Sequence, residues 1–83
     1  MFVERRAAVR RDALVFGRLF FHEAPQMHDC LVWTASELGA LIEVEPGIDV
    51  PDRFHAVIPS LGIDRDAMIV WRDGRRIGVA YIR

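Results

Sequence analysis

The chain has 83 residues, 52% of them apolar, and a formal net charge of -1. That length supports one domain with a small core, and the apolar fraction is enough to fill it. The single Cys30 excludes an intrachain disulfide, and His22, His28 and His55 stand too far apart for a metal cluster of the usual spacing.

Charge is distributed unevenly. Residues 1–18 sum to +3, residues 19–52 to -7 without a basic residue, and residues 53–83 to +3. All eleven basic residues are arginine. Its flat donor fork suits phosphate oxygens and base edges. Arg5, Arg6, Arg10 and Arg11 are gathered in the opening stretch "VERRAAVRRD". No apolar stretch of signal-peptide length follows "MFVERR", and no run approaches the length of a membrane span. A cytoplasmic location is therefore expected. Cys30, inside "DCLVW", reads as a small buried hydrophobe.

Along the chain the pattern is all-β. "ALVFGRLFF" (13–21) is dense in strand-forming residues, with Gly17 at a bend or bulge. "HEAPQ" breaks that run. "DCLVWTA" (29–35) is a second strand, with Cys30 and Val32 on one face and Leu31 and Trp33 on the other. "SELG" reads as a turn, because "ALIEV" (40–44) alternates immediately after it. "EPGIDVPD" is a connection. "RFHAVI" (53–58) alternates again, and "PSLGIDRD" reads as a turn. "AMIVWR" (67–72) and "RIGVAYI" (76–82) flank Asp73-Gly74, a pair that fits a type I′ hairpin turn. Six short strands of this kind bury their edges best by closing into a six-stranded antiparallel barrel. Phe16, Trp33, Phe54, Trp71 and Tyr81 are expected to be core or half-buried. Residues 12–83 form the barrel in this reading, and residues 1–11 are a flexible arginine-rich arm.

Two motifs carry a resemblance. Arg6-Ala7-Ala8-Val9-Arg10, preceded by Arg5, is an Arg-x-x-x-Arg motif just before the first strand. Thr34-Ala35-Ser36-Glu37-Leu38-Gly39 matches Asp/Asn-x-Ser-x-x-Gly at the end of the second strand, except that Thr34 takes the place of the Asp or Asn. With "FHEAPQMHDCLV", "VEPGIDVPDRFHAVIP" and the closing "IVWRDGRRIGVAYI", the chain resembles the PilZ domain family from Glu4 to Ile82. PilZ domains are small β-barrels that bind the bacterial second messenger cyclic di-GMP.

The resemblance implies a cyclic di-GMP receptor module. Arg5, Arg6 and Arg10 would clasp guanine and phosphate. Thr34, Ser36 and Gly39 would shape the barrel side of the pocket. The chemistry fits the residue types, since guanidinium matches the O6/N7 edge of guanine, stacks on purines and bonds phosphate. Thr34 supplies a hydroxyl in place of a carboxylate or amide. A domain that keeps the barrel, binds no nucleotide and acts by protein–protein contact is the alternative.

The expected partners are cyclic di-GMP and a protein that reads the changed surface. The expected state is a monomer, with a ligand-linked dimer conceivable. No cofactor, metal or nucleic acid is expected, since the acidic middle opposes a continuous basic groove. Nor is catalysis expected. Ser36, His28 and Asp29 come with no nucleophile elbow, and Asp64 and Asp66 fall in what reads as a polar turn.

Overall fold

The computed structural model describes residues 11–23 and 26–82. The chain forms β1 (Arg11–Phe20), β2 (Met27–Ala35), β3 (Gly39–Val44), β4 (Arg53–Ile58), a short 3-10 turn (Pro59–Leu61), β5 (Ile63–Asp73) and β6 (Arg76–Tyr81). All neighbouring strands are antiparallel, and they close into a barrel in the order β1-β2-β3-β6-β5-β4. The closing seam is short. It runs from Arg18↔Val57 to Phe20↔His55. Pro59 follows the end of β4 and offers no N–H to continue the ladder.

The core follows from period-two alternation. Leu19, Cys30, Val32, Ile42, Val44, Phe54, Ala56, Ile58, Ala67, Ile77 and Val79 point inward and are buried. Phe54 is 0% exposed and is the largest of them. Val50 sits outside the strands yet is also buried, so the 45–52 connection plugs one end of the barrel. Two bonds from β5 hold that plug. Arg72 Nη2 donates to the Val50 carbonyl at 2.6 Å, and the Ile69 N–H donates to the Asp52 carbonyl at 2.9 Å. Burial pushes the Cys30 thiol up to about 11, as expected of an inert core residue.

Four expectations need correction. Phe16 is 75% exposed, because Gly17 and Leu19 take the inward positions of β1. The space beneath Gly17 is already filled. A side chain there would meet Ile58 Cγ1 at 3.1 Å and Cys30 Sγ at 3.3 Å. Trp71 is 46% exposed, because a register shift between Ile69 and Trp71 sets it opposite Gly78, on the outer face. The segment read as a turn at 59–66 is half strand: 59–62 turn the chain, and β5 begins at Ile63. The β5–β6 hairpin turns on Gly74 and Arg75, not Asp73 and Gly74: Asp73 pairs with Arg76, and Gly74 has φ 62. Positive φ at the first central residue alone belongs to a type II′ turn.

Candidate functional site

The second motif sits at the β2–β3 connection. The Ser36 N–H donates to the Gly39 carbonyl at 2.9 Å, which closes the turn. The Ser36 hydroxyl accepts from the Leu38 N–H at 3.0 Å and from the Gly39 N–H at 3.4 Å. The serine therefore holds the turn from inside, as serine side chains commonly do at such positions. Gly39 opens β3 beside β6, and a Cβ there would lie 2.0 Å from the Val79 carbonyl oxygen. Close approach of backbone to backbone explains this glycine. The Tyr81 N–H donates to the Leu38 carbonyl at 2.9 Å and ties the same turn to the end of β6.

Thr34 owes its position to a bulge. On the β2–β3 ladder Val32 pairs with Ile42 and Thr34 with Leu41, so Trp33 is an extra residue. Val32 and Ala35 point into the core. The extra residue leaves Trp33 and Thr34 in succession on the outer face, where strict alternation would have turned Thr34 inward. The β1–β2 ladder is irregular at the same level, between Asp12 and Val15. Within that irregularity Leu14 has φ 46, a left-handed backbone that is uncommon for leucine and is found disproportionately at functional sites.

The start of β1 meets this region directly. Arg11 pairs with Ala35 and Asp12 with Thr34. Arg5, Arg6 and Arg10, the arginines of the first motif, lie outside the described residues. The register thus brings the described start of β1 to the level of the second motif.

Sequence reasoning missed a further cluster on the outer face. The Trp33 Nε1–H donates to Glu43 Oε1 at 3.0 Å. Glu43 also pairs with Arg75 Nη2 at 3.2 Å and Arg76 Nε at 3.5 Å. The Arg76 guanidinium lies 4.7 Å from the centre of a Trp33 ring, a cation–π contact. Arg75 is held further by its Nε, which donates to the Val44 carbonyl at 3.0 Å. The β5–β6 hairpin therefore lies beside the Glu43 end of β3, and its Arg76 reaches Trp33, the residue before Thr34. Only the register of a bulged strand could have revealed this.

A second cluster lies on β4 and β5. Asp66 Oδ1 stands 2.7 Å from His55 Nδ1, and Asp64 Oδ1 contacts His55 Nε2. Hydrogen bonds to Asp64 and then Asp66 raise the His55 pKa above its ordinary 6.5. The carboxylates occupy opposite ring nitrogens, so the trio does not converge on one metal position.

No known protein family matches the chain, and no curated protein matches it.

Proposed function

We propose that this barrel is a cyclic di-GMP receptor module of PilZ type. In this reading the arm arginines Arg5, Arg6 and Arg10 bind guanine and phosphate against the outer face at Thr34. Ser36 and Gly39 contribute by fixing the turn and by letting β3 approach β6. The ligand orders the arm, and the altered surface is what a protein partner reads. The observation that carries the reading is the β1–β2 register, in which Arg11 and Asp12, the described start of β1, pair with Ala35 and Thr34 of the second motif. The β2 bulge supports it by turning Thr34 outward.

Calorimetric titration of the whole chain with cyclic di-GMP tests it. Arg6→Ala and Arg10→Ala should each weaken binding by about 1.5–3 kcal/mol, the range for hydrogen bonds to charged groups. That corresponds to roughly 10- to 150-fold in affinity. No heat at high-micromolar ligand, or unchanged affinity in both variants, overturns it.

A barrel that binds no nucleotide and acts by protein contact is the second reading. What favours it is the spent hydroxyl of Ser36, bonded to two turn amides, beside a Thr34 that carries no carboxylate or amide. Low-micromolar binding by the parent chain eliminates it.

A further inference from the structure

We infer that Arg76, seated over Trp33, is the stacking platform for one purine base of the ligand. The inference rests on the nucleotide reading above and adds a site that neither sequence motif contains. Three features point to it.

The first is preorganisation. The indole is fixed through its Nε1–H to Glu43, and Glu43 also holds Arg76 Nε. Both planar groups are oriented before any ligand arrives, which lowers the entropy cost of binding. The second is exposure. Arg76 covers Trp33, while its own side chain remains 53% accessible. A guanidinium with one face on an indole can take a second flat ring on the other, through the stacking and cation–π attraction that arginine offers and lysine lacks. The third is location. Trp33 is the bulge residue immediately before Thr34, so this platform adjoins the level where β1 begins.

The chemistry favours an electron-rich, planar heterocycle attached to an anion. Glu43 is one negative charge among two arginines, so the cluster keeps net positive charge for a nearby phosphate. A ligand with two purines and two phosphates would set one of its bases here.

Calorimetry with cyclic di-GMP on the full chain tests the platform, with Arg76→Lys as the main variant. Lysine keeps the charge and loses the plane. The expected loss is about 3- to 30-fold, the range of a partly desolvated cation–π stack. Arg65→Lys is the matched control, because Arg65 lies 5.4 Å from the Tyr81 ring centre. It should stay within about twofold of the parent. A second measurement avoids altering Arg76. In Trp71→Phe, Trp33 is the sole tryptophan, and its emission should change on saturation with the ligand. If the parent binds and Arg6→Ala weakens it, while Arg76→Lys binds as the parent does or Trp33 emission stays constant, the platform is wrong and the nucleotide reading stands. If the parent does not bind, both fall together.

Discussion

His55 and Asp66 face each other across the β4–β5 ladder, with Nδ1 and Oδ1 2.7 Å apart, while Asp64 takes the other ring nitrogen. A carboxylate can only accept, so both contacts are satisfied when both ring nitrogens carry protons. This is why the His55 pKa is raised from 6.5, first by Asp64 and then by Asp66. A raised histidine pKa stabilises the fold fully below the unfolded-state value and ceases to do so as pH rises through the folded-state value. Asp66 shifts the opposite way. Its pKa is lowered from 3.8, chiefly by the bond to His55, so its share is lost as pH falls through that lowered value. An NMR titration should place the His55 midpoint above 6.5, and Asp64→Asn should bring it down. A midpoint at or below 6.5 contradicts the geometry. His55→Gln should flatten the decline of stability as pH rises through the His55 transition.

Gly39 and Gly78 look alike in sequence and differ in what surrounds them. A Cβ on Gly39 meets backbone, with Val79 O at 2.0 Å and Val79 C at 3.0 Å. Backbone cannot move without breaking the β3–β6 ladder. Gly39→Ala should therefore destabilise by about 2–4 kcal/mol, the upper range for overpacking. A Cβ on Gly78 meets the Trp71 indole, with Nε1 at 2.2 Å. That ring is 46% exposed and can swing outward, so Gly78→Ala should cost only about 1 kcal/mol. Urea denaturation distinguishes them, and equal costs would refute the distinction. The comparison also guards the ligand experiments, because lost binding in Gly39→Ala would report a damaged barrel.

The alternating runs at 40–44 and 53–58 were legible because each strand has one buried face. Ile42, Val44, Phe54, Ala56 and Ile58 all fall where period two puts them. Trp71 departs for a different reason. It follows a register shift, as Thr34 follows the bulge at Trp33, and one added residue reverses the facing of those that come after it. Composition carries no mark of such an insertion. Asp64 and Asp66 were hidden for another reason. Their charges and the preceding Gly62 suggest a loop, yet both lie on the outward face of β5, where charge is compatible with a strand. The turn at Ser36–Gly39 could be read from residue types alone, because a short hydroxyl side chain and a glycine each have local work there. The partnership of Arg76 with Trp33 could not, since it depends on non-local pairing of β3 with β6.

Phe16 and Phe54 offer a direct measure of that difference. Phe54 is 0% exposed and Phe16 75%. Phe54→Ala should cost about 3–5 kcal/mol by lost transfer and the cavity left behind. Phe16→Ser should change stability by no more than about 0.5 kcal/mol, as is usual for exposed positions. Thermal or urea unfolding of the two variants checks both numbers. A large loss for Phe16→Ser would show that its ring is covered in solution.

Thr34→Asn should separate ligand chemistry from fold chemistry better than Thr34→Asp. Either change supplies an acceptor oxygen with the reach that threonine lacks. An unpaired, buried guanine donor costs about 1–3 kcal/mol, so supplying its acceptor should strengthen cyclic di-GMP binding by roughly 5- to 150-fold. The two variants differ across the ladder. Position 34 pairs with Asp12 on β1, so Thr34→Asp sets acidic residues at directly opposed positions. Like charges so placed are destabilising, on the scale of about 0.2–1 kcal/mol for cross-strand pairs. Thr34→Asn carries no such cost. Denaturation should therefore rank Thr34→Asp below both Thr34→Asn and the parent, and the gap should narrow in high salt. Calorimetry should show both variants binding more tightly than the parent. If a binding-competent parent and Thr34→Asn have the same affinity, the outer-face position of Thr34 is not in contact with the base, and the ligand lies closer to the Trp33–Arg76 stack.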